Sequence, residues 1–112
     1  MSLELAKRAL ACKGWRWMQG VVIGEGCVVI LPQPPEHARV TYRGELPDLD
    51  APATRGCLLE MVREAYKNPT MHVWRCGLQW VVCDEDAEHW HAADTEKEAL
   101  VIALEAAGEG AP

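Results

Sequence analysis

The sequence contains no phenylalanine and no apolar segment long enough to cross a membrane. The apolar run at residues 27–31 has the length of a strand, and even the six apolar residues at 99–104 fall far short of the roughly eighteen that a membrane-spanning helix needs. The start of the chain lacks a signal-peptide pattern because Glu4, Lys7 and Arg8 interrupt any apolar stretch. These absences predict a cytoplasmic protein that does not associate with membranes.

Cysteine pairs of the kind that form disulfide frameworks or zinc knuckles are also missing. The five cysteines are an odd number, and no two of them have the spacing of a Cys-x-x-Cys pair. The weak candidates for metal ligands are Cys76, Cys83, His89 and His91, of which the two histidines would lie on one face of a strand. We predict reduced cysteines, no metal and no cofactor, with a small zinc-binding or thiol enzyme as the last alternative.

No set of residues is typical of an active site. The triplet Gly24-Glu25-Gly26 precedes a predicted strand, whereas phosphate-binding glycine loops precede a helix. Asp48 and Asp50 precede a predicted helix, where the exposed N–H groups of the first turn already favour acidic residues. The protein is therefore predicted not to be an enzyme.

The net charge of −6 is unevenly distributed along the chain. Nine acidic residues and one basic residue give residues 84–112 a charge of −8, and the ten basic and eight acidic residues before them give +2. Because nucleic-acid binding requires a basic face that neutralises phosphates, this acidic C-terminal quarter argues against direct nucleic-acid binding.

Hydrophobic periodicity and capping residues predict an α+β domain over residues 1–108, with a flexible tail over residues 109–112. Helices are predicted over residues 2–13, 51–67 and 95–108, and the last of them starts with a Thr95 capping box. The predicted strands form a hairpin within residues 15–31, a strand over residues 38–43, a hairpin from residues 71–75 and 79–84, and a short strand over residues 89–93. The order α-β-β-β-α-β-β-(β)-α predicts a mainly antiparallel sheet of 5–6 strands with three helices.

The last predicted helix is apolar over more than half of its circumference. Val101 falls on the remaining side, among Lys97, Glu98 and Glu105, and is expected to face water. Such a helix is either deeply packed with one exposed valine or forms a contact with a second copy of the chain or another partner.

Tryptophan supplies most of the aromatic surface, and each indole either fills the core in place of phenylalanine or contacts a partner. Trp15 and Trp17 would lie on one side of an extended strand, with Arg16 on the other. The predicted partner-binding residues are Trp15, Arg16, Trp17, Asp84, Glu85, Asp86, Glu88, Trp90 and Val101.

Three motifs extend from the N-terminal region to the last helix. They are Gly14-Trp15-Arg16-Trp17-Met18, then Leu46-Pro47-Asp48-Leu49-Asp50-Ala51-Pro52-Ala53-Thr54-Arg55-Gly56-Cys57-Leu58-Leu59, and finally Thr95-Glu96-Lys97-Glu98-Ala99-Leu100. Together they resemble a set of small uncharacterised proteins encoded by bacteriophages and prophages. This chain departs from the set at Gln19, where a proline is expected, and residues 20–45 show no resemblance. The resemblance implies a phage accessory protein in a bacterial host cytoplasm, and it transfers no catalytic residue.

The resulting hypothesis is a non-enzymatic accessory protein that binds a host protein or protein complex. A bacterial defence complex, inhibited in the manner of an anti-CRISPR protein, is the specific form, and a homodimer through the last helix is a further expectation. The alternative is a nucleic-acid-associated accessory protein that uses Lys7, Arg8, Lys13, Arg16, Arg39 and Arg43 together with Trp15 and Trp17.

Overall fold

The computed structural model of the chain describes residues 3–16, 18, 20–23, 46–86 and 89–110. Within these residues the protein is α+β, with three helices and one three-stranded sheet. The helices are α1 (Leu3–Ala11), α2 (Pro52–Tyr66) and α3 (Glu96–Gly110), and the strands are β1 (His72–Cys76), β2 (Gln79–Cys83) and β3 (Trp90–Ala93).

The sheet is antiparallel with the strand order β1-β2-β3. Cys76 pairs with Gln79, so Gly77 and Leu78 form a two-residue turn. Gly77 has a φ of 64° and Leu78 a negative φ, which is the type II′ arrangement that matches the twist of a hairpin. The predicted second hairpin and the short strand after it are thereby confirmed.

The described residues do not support a sheet of five or six strands. Among the described residues, Ile23 forms an isolated bridge with Pro47, and neither residue belongs to one of the three strands. Val22 N–H donates to Thr54 Oγ1 at 2.8 Å, and the Val22 carbonyl oxygen accepts from Asp48 N–H at 2.7 Å as part of this bridge. The predicted strands over residues 27–31 and 38–43 lie outside the described residues.

Helix α3 is the centre of the fold, because α1, α2 and all three strands pack against it. The expectation that Val101 faces water is wrong: its side chain is 0 % exposed. The sequence argument assumed one buried face, whereas α3 is covered from several directions. The proposed homodimer through this helix therefore loses the exposed valine on which it was based.

The helix ends follow the capping residues in the sequence. Thr95 Oγ1 accepts a hydrogen bond from Glu98 N–H at 3.2 Å, as an N-cap does. Helix α2 ends at Lys67, which has a left-handed φ of 53° just before the Asn68-Pro69 pair. Helix α3 continues to Gly110, two residues past its predicted end at Gly108.

Candidate functional site

The two faces of the sheet have different surroundings. On the inner face, Val82 and Ala93 belong to the main core, and Val73 and Trp80 pack against it. The strand register places His72, Trp74, Val81, Cys83 and Trp90 together on the opposite face, which we call the outer sheet face.

Trp74 and Trp90 form an aromatic pair across the middle strand of the outer sheet face. Their ring centroids are 6.2 Å apart and the ring planes meet at 82°, a favourable edge-to-face arrangement. The side chains remain 39 % and 51 % exposed, respectively. Two large aromatic residues thus lie side by side at the surface.

The two indoles shield the residues of β2 that lie between them. Val81 pairs with Trp74 and Cys83 with Trp90 in the strand register. Val81 is 2 % and Cys83 4 % exposed, although neither belongs to the main core cluster. The outer sheet face is therefore a small apolar cluster with its own aromatic cover.

Hydrogen bonds fix the orientation of Trp74 within this cluster. Its Nε1–H donates to Cys83 Sγ at 3.3 Å. His72 Nδ1 lies 2.9 Å from the carbonyl oxygen of Thr70, and since a carbonyl only accepts, neutral His72 carries its proton on Nδ1. The unprotonated Nε2 then lies 3.8 Å from Cys83 Sγ and can accept a hydrogen bond from the thiol.

Acidic residues adjoin one end of the outer sheet face. Asp84, Glu85 and Asp86 follow β2 directly and precede Trp90, and we call them the acidic turn. Asp84 is buried and accepts a hydrogen bond from Asn68 Nδ2 at 3.4 Å. Glu85 and Asp86 are exposed, and they follow the end of β2 at which Cys83 pairs with Trp90.

The four candidate metal ligands do not converge. Cys76 and Cys83 lie at opposite ends of the hairpin, about 13 Å apart along the strand direction. His91 pairs with Val82 on the inner face, away from Cys83. In the part of the chain that the structure describes, no group of three or more histidine, cysteine or acidic residues is placed to hold a metal.

His89 and His91 instead contact Tyr66 of α2. The rings of Tyr66 and His89 have centroids 4.6 Å apart, and the Tyr66 hydroxyl lies 3.0 Å from His91 Nε2. Burial raises the pKa of Tyr66. Burial, and to a smaller extent the neighbouring His89, lower the pKa of His91. This cluster joins α2 to β3.

Trp15 and Arg16, two of the predicted N-terminal contact residues, belong to no strand of the described part of the chain. Trp15 is half-buried and packs against the core, and Arg16 forms an exposed ion pair with Glu64 at 2.6 Å. Arg8 forms a two-point ion pair with Glu105, at 2.9 and 2.7 Å. Trp17 and Glu88 lie outside the described residues, as do Arg39 and Arg43 of the nucleic-acid alternative.

The ion pairs also redistribute the charge of the acidic C-terminal quarter. On α3, Glu105 is paired with Arg8, and Glu96 accepts a hydrogen bond from Arg55. Lys97 is paired with Asp50 at 2.6 Å. Basic residues of the body thus neutralise part of the negative charge that the sequence concentrates in the last quarter. The exposed acids of the acidic turn follow the end of β2 that pairs with Trp90.

The structure supplies one site residue that the sequence analysis did not select, Trp74. The strand alternation predicts that His72, Trp74 and Cys76 share a face, but it does not tell which face is covered by a helix. Trp90 is among the partner-binding residues predicted from the sequence, and its side chain is exposed, as contact with a partner requires.

No helix in the described ranges is both long and apolar enough to span a bilayer. No family model matches the chain, and no curated protein and no solved structure matches it either. The aromatic pair and the acidic turn are therefore the features of the described residues that bear on function.

Proposed function

We propose that the protein is a non-enzymatic accessory protein that binds a protein of its host through the outer sheet face. The single observation that carries this proposal is the half-exposed pair of Trp74 and Trp90. Tryptophan is the side chain most enriched among the residues that dominate binding energies in protein interfaces.

The area left open by the pair is large enough to matter for affinity. A fully exposed tryptophan presents about 250 Å², so the two side chains leave roughly 200 Å² in contact with water at their observed exposure. Removing this surface from water is worth about 5 kcal/mol before the costs of association are subtracted. Because the indoles are already held by each other and by Cys83, little conformational entropy is lost when a partner covers them.

The resemblance to phage and prophage proteins supports a bacterial protein as the target. A defence complex of the bacterial cytoplasm, inhibited in the manner of an anti-CRISPR protein, is the specific form of the proposal. The acidic turn beside the aromatic pair agrees with it, because such complexes carry basic surfaces for nucleic acids.

The test is quantitative affinity capture from a bacterial lysate with the wild-type chain and with a Trp74→Ala, Trp90→Ala double variant. We expect a stoichiometric protein partner that the double variant fails to retain. Arg16→Ala is the matched surface variant, because it removes an exposed side chain of the N-terminal candidate site. Circular dichroism of each variant confirms that the fold is kept.

Equal recovery of the partner by the double variant would overturn the proposal. Loss of the partner only in Arg16→Ala would move the contact to the N-terminal region. Binding to oligonucleotides that weakens steeply with added salt would favour the nucleic-acid-associated alternative instead.

A further inference from the structure

We infer that the partner of the outer sheet face is a protein segment that presents arginine or lysine next to an apolar side chain. In this arrangement the cation lies against the indoles of Trp74 and Trp90, and its charge is directed toward Glu85 and Asp86. The inference rests on the proposed function and names the chemistry of the partner.

The three strands place no arginine or lysine on the outer sheet face. The only arginine or lysine within strands β1, β2 and β3 is Arg75, which shares a face with Trp80 and donates Nε–H to the carbonyl oxygen of Gly77 at 3.3 Å. The exposed carboxylates of Glu85 and Asp86 follow β2 directly. A basic partner therefore gains favourable interactions at this rim, and an acidic one is repelled.

The two exposed acids of the turn, Glu85 and Asp86, differ from the acids that are paired among the described residues. The ion pairs among the described residues use Asp50, Glu60, Glu64, Glu96 and Glu105. Glu85 and Asp86 are in none of these pairs, and the Glu85 backbone N–H donates to Thr70 Oγ1 at 3.2 Å, which orders the turn. The backbone of the acidic turn is thus ordered at Glu85, and the exposed carboxylates of Glu85 and Asp86 can interact with a cationic partner.

The geometry of the indoles suits a cation. Two ring planes that meet at 82° with centroids 6.2 Å apart form a right-angled corner. A guanidinium or alkylammonium group in that corner lies against the electron-rich face of one ring and beside the face of the perpendicular ring. The alkyl stem of the same side chain can cover the apolar ring surface while the charged end reaches a carboxylate.

The same features disfavour the other surfaces that tryptophan pairs bind. Single-stranded nucleic acid stacks on aromatic rings, but it requires basic residues along the backbone path, and the acidic turn repels phosphate. An anionic membrane is repelled for the same reason. A basic protein segment is the class for which both the rings and the charges are favourable.

The experiment uses two defined peptides and the full chain labelled with ¹⁵N. One peptide is acetyl-Gly-Arg-Leu-Arg-Gly-amide, and the other replaces both arginines by glutamate. The indole Nε1–H signals are assigned with Trp74→Phe and Trp90→Phe variants and followed up to about 10 mM peptide, which detects millimolar binding.

We expect the arginine peptide to shift the Trp74 and Trp90 signals and to bind at least about tenfold more tightly than the glutamate peptide. Glu85→Lys should weaken its binding several-fold, whereas Glu4→Lys, an equal charge change on the exposed side of α1, should leave it nearly unchanged. Added salt should weaken it as well, since the interacting charges are exposed.

Equal binding of both peptides, or no shift of either indole, overturns the inference. So does a Glu85→Lys variant that binds the arginine peptide as the wild type does. If the Trp74→Ala, Trp90→Ala variant still loses its captured partner in that case, the proposed function stands and only the basic chemistry of the partner is wrong. If the partner is retained, the proposed function fails independently.

Discussion

The Tyr66 hydroxyl accepts a hydrogen bond from His91 Nε2–H at 3.0 Å while donating its own proton to the carbonyl oxygen of Ala103 at 2.8 Å. Since the carbonyl only accepts, the single hydroxyl proton is committed to Ala103. Neutral His91 must then carry its proton on Nε2. This chain of bonds connects β3, α2 and α3 and sets the tautomer of a half-buried histidine.

Stability should depend on the protonation of His91. Burial and the neighbouring His89 lower the pKa of His91 in the folded state, so the unfolded chain binds the proton more readily. The free energy of unfolding is therefore greatest above about pH 6.5, the pKa of an unperturbed histidine. It falls as the pH drops toward the lowered folded pKa and is constant below it, as far as this group is concerned.

Urea denaturation at a series of pH values measures this dependence. In His91→Gln, which keeps an N–H donor for Tyr66 but has no titrating group, the decrease on acidification should be smaller than in the wild type. An unchanged pH profile in the variant would show that another group causes the effect.

Cys83 should become reactive when its aromatic cover is removed. In the wild type, iodoacetamide should modify the exposed Cys76 rapidly and the buried Cys83 slowly. Trp90→Ala should raise the labelling rate of Cys83 by about tenfold, because the thiol then gains access to solvent. Mass spectrometry of the digested protein gives the rate at each cysteine.

Cys57 is the internal control for this labelling experiment. It is buried on α2, and its burial raises the pKa of its thiol, so its rate should not respond to Trp90→Ala. A parallel increase at Cys57 would mean that the variant loosens the whole fold. An unchanged rate at Cys83 would mean that Trp90 does not cover it.

Two glycines should respond in opposite directions to an added methyl group. A Cβ on Gly14 would lie 2.8 Å from Leu104 Cδ1 and 3.4 Å from Ala65 Cβ, and Leu104 is fully buried. Gly14→Ala should therefore destabilise the protein by about 1–3 kcal/mol through overpacking.

Gly56 provides the matched comparison on α2. A Cβ there meets nothing within 4 Å, so Gly56→Ala should stabilise the protein by about 0.5–1 kcal/mol through its better helix propensity. Thermal unfolding of both variants decides the matter. Similar shifts in the same direction would contradict the close approach of Gly14 to α3.

Thr54 should be important for stability although it is a small polar residue. It is fully buried, and its Oγ1 accepts the Val22 N–H at 2.8 Å. Thr54→Val keeps the shape but leaves this N–H without its acceptor, which should cost about 1–3 kcal/mol. Thr54→Ser keeps the hydroxyl and should lose less. Chemical denaturation of the pair separates the two contributions, and a larger loss in the serine variant would assign the role to the methyl group.

The helices and the second hairpin could be predicted because their signals are local. The apolar stripe and the Asn68-Pro69 stop predict α2, and Thr95 predicts the start of α3. Cys76-Gly77 between the strands predicted over residues 71–75 and 79–84 indicates the turn. Each of these features depends on residues within a few positions of one another, so the sequence carries them directly.

The errors come from contacts between distant residues. Val22 donates its N–H to Thr54, 32 positions away, and no local pattern predicts this bond. Val101 does not face water because other elements cover the polar side of α3. The pairing of Trp74 with Trp90 depends on the register of three strands. Periodicity assigns a residue to a face but does not tell what lies against that face.

Helix α3 is the last of the described elements to leave the ribosome, yet α1, α2 and every strand pack against it. The ion pair of Arg8 with Glu105 joins positions 97 residues apart. The inner sheet face and the apolar side of α1 therefore lack their main packing partner until α3 has been synthesised. Folding of this protein is completed only after synthesis has passed α3, and until then the nascent chain exposes the surfaces that chaperones bind.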